Sequence, residues 1–250
     1  MTILERLDIN KAAIDCVRPF EGDLLRQLRE YYRIGLTWTS NALEGNSLTE
    51  IETKVLLEDG LTIGGKPLRD TLEAIGHANA YDYMFSLLGE RCITVENIKT
   101  LHDLFYQAID EPHAGVWRDV NIIVTGSDYE FPAPAELDEL MEDLGRWMDA
   151  NRDSMHPAHY AAMLHLRFVT VHPFIDGNGR VARLLMNTAL IQNGYLLAVV
   201  PPILRQEYLS TIRRYQQQGD AVPFCDFIAE RVLESEKEVM RLLKIPSTGG

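Results

Sequence analysis

Apolar residues recur at three- and four-residue spacing along most of this chain, a period that predicts helices. The first spans Gly22 to Glu44, with leucines, tyrosines and an isoleucine on one stripe, Asp23 near its start and Gly45 just past its end. Ser47-Leu-Thr-Glu50 reads as a capping box for a short helix through Leu57, and Gly60 to Lys66 as a glycine-rich turn. Amphipathic segments follow from Asp70 to Leu88 and from Thr94 to Ile109, the second opened by Thr94 with Asn97 three residues on. The helical period returns over Ala135 to Asn151, Ala161 to Val171, Val181 to Leu190, Gln206 to Gln218 and Pro223 to Leu243, before a Pro-Ser-Thr-Gly-Gly tail expected to fray. One stretch breaks it. Asn121-Ile-Ile-Val-Thr125 is β-branched, Gly126-Ser-Asp128 is a turn signal and Tyr129-Glu-Phe131 an aromatic return, which predicts a small β-hairpin ended by Pro132 and Pro134. The expected fold class is all-α with that one hairpin, without internal repeats or a linker between independent domains.

Composition narrows the function classes. The formal net charge of −13, from 24 basic and 37 acidic residues, argues against general nucleic-acid binding or an anionic membrane surface as partner. No apolar stretch approaches the ~20 residues that span a bilayer. The opening Met-Thr-Ile-Leu-Glu-Arg-Leu-Asp lacks the continuous apolar run of a signal peptide. Cys16, Cys92 and Cys225 are scattered, odd in number and without metal spacing, so a reduced, cytoplasmic protein is expected.

The densest chemistry lies between two of the helical segments. Residues 172–183 read His-Pro-Phe-Ile-Asp-Gly-Asn-Gly-Arg-Val-Ala-Arg. A glycine-rich loop feeding a helix N-terminus is an anion site, because unpaired backbone N–H groups and the helix dipole both favour negative charge. His172 at its rim adds a proton acceptor with an ordinary pKa of about 6.5, and Asp176 adds a hard metal ligand. Together they point to phosphate chemistry with a divalent cation. Four histidines within seventeen residues (His156, His159, His165 and His172) allow a different reading, a metal-binding helical module, although only His156 and His159 share a helix-face spacing and Pro157 lies between them.

The twelve residues resemble, without a mismatch, the Fic-domain signature His-Pro-Phe-x-Asp/Glu-Gly-Asn-Gly-Arg-x-x-Arg. Further resemblance lies in Gly115-x-Trp-Arg118, the expected hairpin, and Tyr208…Gly219-Asp220…Pro223-Phe…Phe227-Ile. The resemblance implies a Fic helical bundle with a hairpin flap: an N-terminal helical region over residues 1–93, a Fic core over 94–235 and a C-terminal helix end and tail over 236–250. It implies a protein adenylyltransferase that moves AMP from ATP to a Ser, Thr or Tyr hydroxyl of a target protein and releases pyrophosphate. His172 would be the base and Asp176 the Mg2+ ligand. Gly177, Asn178 and Gly179 would cradle the phosphates, with the Asn178 amide as an extra donor. Arg180 and Arg183 would take phosphate charge, Arg183 that of the γ-phosphate. Val124, Thr125, Gly126 and Ser127 of the flap would register the target segment, and Asn187 and Tyr208 would line the nucleotide pocket. Tyr208 and the Gln216–Gln217 region resemble the adenosine segment, with a spacing to Gly219 one residue longer than usual. The resemblance also implies a homodimer.

Upstream, Ser40-Asn-Ala-Leu-Glu44-Gly45-Asn46 resembles the family's inhibitory motif, Ser/Thr-x-x-x-Glu-Gly/Asn. A carboxylate in the last turn of a helix meets the negative end of the dipole and calls for a cation from elsewhere. By resemblance, Glu44, with Ser40, would engage Arg183, displace the γ-phosphate and keep the enzyme off. The same glutamate in this class can position a water that removes AMP. Transfer of UMP, phosphate or phosphocholine stays open as an alternative, although Gly179 argues against the phosphotransferase branch, which carries lysine there.

Overall fold

A computed structural model of the chain describes residues 1–90, 92–124 and 128–246. Thr2 opens its first helix: the hydroxyl accepts Glu5 N at 3.2 Å while the Glu5 carboxylate accepts Thr2 N at 2.6 Å, a capping box at the head of α1 (Ile3–Asp15). The apolar period does not announce α1, because only Leu7 and Ile14 of it are buried; the Thr-x-x-Glu spacing is its signal. Each helix expected from periodicity is present: α2 (Gly22–Ala42), α3 (Glu50–Asp59), α4 (Leu68–Ser86), α5 (Val95–Tyr106), α6 (Leu137–Asn151), α7 (Pro157–Val171), α8 (Asn178–Gln192), α9 (Arg205–Gln218) and α10 (Val222–Leu242). The capping box of α3 belongs to Thr49 and Glu52 rather than to Ser47 and Glu50. Ser47 instead gives its backbone N–H and its hydroxyl to Asp70 on α4.

α7 and α8 form the centre. α8 is covered by α7, α4, α5 and α2, and α7 in turn by α6, α9 and α10. From Asn178 to Leu190 only Gly179 of α8 escapes full burial. A central helix is normally apolar all round, yet α8 buries Asn178, Arg180, Arg183, Asn187 and Thr188 at 0–3% exposure. Each such group must find a partner inside the protein, and their partners define the site. α1 packs along α10, which runs unbroken through residues 235 and 236, and one hydrophobic cluster joins residues from Leu7 to Met240.

The expected hairpin is a correction. Among the described residues there is no strand, and the flanking segments 121–124 and 128–131 are irregular. A two-stranded ribbon with no sheet to join is marginal in water, and here the roots are held by a side chain instead. Arg118, 3% exposed, donates from Nη1 to Val120 O (2.9 Å) and from Nη2 to Pro132 O (2.6 Å). Thr125, Gly126 and Ser127 lie outside the described residues. Among the described residues, no helix is long and apolar enough to cross a membrane.

Gly76 sets the spacing of α4 and α5. A Cβ at this position would run into the Phe105 carbonyl oxygen, so the missing side chain lets α5 lie directly on α4 and carries Phe105 under the glycine loop. The obstacle is backbone, which cannot rotate away. Gly76→Ala is expected to destabilise the fold by about 1–3 kcal/mol despite its better helix propensity, read as a lower urea midpoint. An unchanged or raised midpoint would show that the two helices can separate freely.

Candidate active site

α7 ends at His172 in the left-handed region (φ 52°, ψ 59°), its N–H still reaching Phe168 O at 2.9 Å. Proline follows, and the residue before proline avoids the right-handed helical region; histidine is one of the few side chains that enters the left-handed one. The strained turn is pinned from outside. Arg118 Nε donates to His172 O (3.0 Å) and Arg118 N to Pro173 O (2.9 Å). One arginine thus ties the roots of the 121–131 segment to the loop that carries the histidine.

The loop is closed by its own side chains and by α5. Asn178 Oδ1 accepts Phe174 N (3.0 Å) and its Nδ2 donates to Phe174 O (2.8 Å). Phe174, fully buried, stacks on His102 at 3.6 Å between ring centres. Gly115 N donates to His102 Nδ1 (2.9 Å), which leaves the other ring N–H to donate to Asp176 O (3.1 Å). Gly177, at φ 78°, is the N-cap of α8, and a Cβ there would press on the Phe105 ring at 2.7 Å. The glycine therefore serves both the turn and the close approach.

Arg183 lies beneath this loop, its side chain 2% exposed. Its Nε donates to Ser40 Oγ (2.9 Å), Nη2 to Ser40 O (2.8 Å) and to Glu44 Oε1 (2.7 Å), and Nη1 to Tyr208 OH (3.2 Å). Tyr208 OH shares a further 2.7 Å hydrogen bond with His165 Nε2. Arg205 Nε donates to Leu43 O at 2.6 Å, so two arginines cap the last carbonyls of α2, the end where the helix dipole favours cations. Glu44 sits just beyond, its side chain 35% exposed. Desolvation opposes its charge, but Arg183, Arg180 and Arg205 together outweigh that and hold the carboxyl below the ordinary value of 4.5. A Cβ on Gly179 would collide with Glu44 Oε1. The carboxylate thus fills the space left by the glycine in the first turn of α8.

Glu44, Gly179, Arg183, His172, Tyr208, Val124 and Phe131 line one cavity of about 140 Å3, completed by Val169, Leu209, Ile212, Arg213 and Gln216. His172 Nδ1 lies 3.2 Å from Val169 O, a bond that fixes the proton on Nδ1 and leaves Nε2 as the acceptor. Burial pushes the imidazole down to about 4 against the pull of that bond. The group is a neutral base at neutral pH, beside a buried cation and a helix N-terminus. The arrangement can take a proton from a hydroxyl next to a bound anion.

Several side chains point elsewhere than expected. The Asn178 amide, 2% exposed, closes the loop on itself, its oxygen accepting Phe174 N and one of its N–H groups donating to Phe174 O. Asn187 does not line the cavity; fully buried, it donates to Arg183 O (2.9 Å) and Ala198 O and accepts Ala198 N (2.7 Å), clamping the chain after α8. Arg180 turns toward α4, pairing with Glu73 (3.1 Å) and Asp176 (3.3 Å) over the Phe105 ring. Asp176, 40% exposed, accepts Gly177 N at 2.6 Å and Arg69 Nη2 at 2.5 Å. The histidines do not converge: His156 caps α7 and pairs with Asp8, while His165 faces Tyr208. Among the described residues, no group of three or more His, Cys, Asp or Glu could hold a metal. Sequence reasoning gave no role to Arg118, Phe131, Arg69 or Arg213. Of these, Arg118 stood in the Gly115-x-Trp-Arg118 pattern and Phe131 in the expected hairpin.

Residues 92–190 match the Fic/DOC family. The Protein adenylyltransferase Fic of Drosophila melanogaster is 34% identical over 229 residues, which is 91% of this chain and 46% of that one. The chain thus spans about half the length of the relatives it matches. Among solved structures, Fic-1 of C. elegans superposes with a TM-score of 0.87 at 27% identity, covering 97% of this chain and 72% of that one. A Fic domain containing signalling protein of Bacteroides thetaiotaomicron gives 0.86 at 26%, covering 97% and 98%. The chain carries a Fic domain over residues 92–190.

Burial holds four histidines neutral: His77 is pushed down to about 3, His102 and His172 to about 4, and His165 well below its ordinary value. An unfolded chain takes up these protons below about pH 6.5 and the folded chain does not. Their stabilising share is therefore intact above pH 6.5 and is lost as pH falls toward 4. Buried Glu236, raised to about 8, works in the opposite sense, one group against four. The melting temperature is expected to be several degrees lower at pH 5 than at pH 7; equal values would mean these imidazoles are solvated.

Proposed function

We propose that this chain is a self-inhibited protein adenylyltransferase, transferring AMP from ATP to a Ser, Thr or Tyr hydroxyl of a target protein, and of itself, with release of pyrophosphate. The observation that carries this reading is the buried Arg183 held by Ser40 and Glu44 beside the neutral base His172. The 34% identity to proteins named protein adenylyltransferase supports the choice of reaction.

In this reading the triphosphate enters over Gly177–Gly179, where the first turn of α8 offers unpaired N–H groups and Arg183 a buried cation. The target hydroxyl oxygen attacks the α-phosphorus, its proton passes to His172 Nε2, and the bond to the β-phosphate oxygen breaks. The ring is already the correct tautomer, because Nδ1 is committed to Val169 O. Asp176 would hold Mg2+. A single half-exposed carboxylate at the loop fits an ion that takes one or two carboxylates plus phosphate oxygens rather than an all-protein cage. When bound, the ion offsets charge on the phosphate oxygens. The target segment docks along residues 121–131, where Ile123 is 96% exposed, and a second copy of the chain is a further expected partner.

Inhibition follows from size and charge. Ligand cavities usually measure about 300–1,000 Å3, and with Glu44 in place only about 140 Å3 remains here. The carboxylate also satisfies the guanidinium that the γ-phosphate would need. Because the Glu44 carboxyl titrates below 4.5, the block is at full strength at neutral pH and fails only as pH falls through that lowered value. By family resemblance Glu44 has a second job, positioning a water for removal of AMP.

Incubation with labelled ATP and Mg2+ tests the reading. Wild type is expected to be nearly silent and Glu44→Gly to label itself about 5–150-fold more, the range of an ordinary coupling between sites. A Glu44→Gly protein as silent as wild type would sink the proposal. Adding His172→Ala to Glu44→Gly is expected to cut labelling by roughly 10²–10⁴, the usual share of a general base; retained labelling would remove His172 from the chemistry.

A further inference from the structure

Asp176 is the carboxylate that the proposed function reserves for the divalent cation, and both its oxygens are already engaged. Oδ1 accepts Gly177 N (2.6 Å) and Arg180 Nη2 (3.3 Å), and Oδ2 accepts Arg69 Nη2 (2.5 Å). Arg180 and Arg69 differ in their freedom. Arg180, its side chain 4% exposed, is held under the loop by Glu73 and Phe105. Arg69 stands in the first turn of α4 with its side chain 54% exposed, and its Nε keeps a separate bond to Glu73 at 3.1 Å. Its Nη2 can leave Asp176 for water while the stem stays anchored to Glu73, one helical turn along.

These four side chains close a ring of alternating charge: Arg69–Glu73 3.1 Å, Glu73–Arg180 3.1 Å, Arg180–Asp176 3.3 Å and Asp176–Arg69 2.5 Å. The Glu73 side chain is only 8% exposed and is further fixed by Asn46 Nδ2 at 3.0 Å. The ring is neutral as it stands. A divalent cation on Asp176 would add two positive charges beside two guanidiniums, so one guanidinium has to go, and Arg69 is the one with solvent to go to.

Resting on the adenylyltransferase reading, we infer that Arg69 is a displaceable internal counterion of Asp176, so that loading of the site with a divalent cation requires the Arg69 guanidinium to leave. It is a second restraint, distinct from Glu44. Glu44 covers the site's cation, Arg183, whereas Arg69 covers its anion, Asp176. Both are carried by one block, because Asn46 and Ser47, two and three residues after Glu44, bond to Asp70 and Glu73 on the first turns of α4.

Calorimetric titration of ATP onto Glu44→Gly, with and without Arg69→Gln, separates the two restraints when done once with Mn2+ and once with EDTA. In EDTA the two proteins are expected to bind ATP equally. With Mn2+ the Arg69→Gln protein is expected to bind about two- to fivefold more tightly, the size of a half-exposed ion pair, and Arg69→Lys, which keeps the charge, to fall back toward the parent. Manganese paramagnetic resonance, which counts free ion, supplies a readout independent of heat and of turnover. Equal or weaker Mn2+–ATP binding by Arg69→Gln overturns the inference while ATP binding itself leaves the adenylyltransferase reading standing. Absence of ATP binding in EDTA and in Mn2+ alike removes that reading and this inference with it. A melting curve checks folding of Arg69→Gln, and if that variant unfolds, Arg69→Ala takes its place, with Arg69→Lys still the charge-keeping control.

Discussion

A guanidinium buried at 2% exposure at the centre of a helical protein dictates much of what surrounds it. Arg183 cannot give up its charge, so it must be supplied with acceptors, and a buried cation without them would cost several kcal/mol. Ser40 and Glu44 at the end of α2 and Tyr208 on α9 provide them. That requirement draws three helices distant in sequence to one point. It also makes the site responsive, because the partners are few and one of them, Glu44, lies on the exposed side. The cation will accept any anion of suitable shape that reaches the same place.

The N-terminal helices act on the loop as a charge-matched cover. Where the loop is positive they present Glu44, and where it is negative they present Arg69. Hydrogen bonds from Asn46 and Ser47 to α4 keep the two in fixed relation. The arrangement explains an otherwise odd feature of α4, whose first turns bury Asp70 and Glu73 at 9% and 6% exposure. Those carboxylates face Asn46, Ser47, Arg69 and Arg180. They hold the cover together.

Much of this was legible in the chain. The periods of α2 and α4–α10 come from apolar stripes that bury against each other, a pattern that local sequence carries directly. Thr94 and Asn97 mark the head of α5 because a capping box is a local device. The loop from His172 to Arg183 was legible because one chemistry demands many residue types in a short span. The failures have a common cause in tertiary context. β-branched residues at 121–124 signal a strand only if a partner exists, and Arg118 takes over the job of holding that segment's ends. Asn178 and Asn187 looked like ligand donors, but a buried amide serves first the nearest unpaired backbone, here Phe174 and Ala198. Arg69 was invisible, since nothing in Leu-Arg-Asp says that Asp176, 107 positions on, lies within reach.

The missing side chain of Gly179 has a consequence for how such a protein can change. The hollow it leaves is the size of an oxygen atom, and Glu44 Oε1 occupies it. Under the proposed function a phosphate oxygen needs the same hollow, since both are anions seated in the first turn of α8. A larger residue at 179 would therefore exclude the brake and the nucleotide together. Under that function, substitution at 179 can disable the protein, but it cannot unlock it. Freedom from the brake has to arise on the N-terminal side, where Ser40, Glu44 and their helix can vary without touching the transfer step.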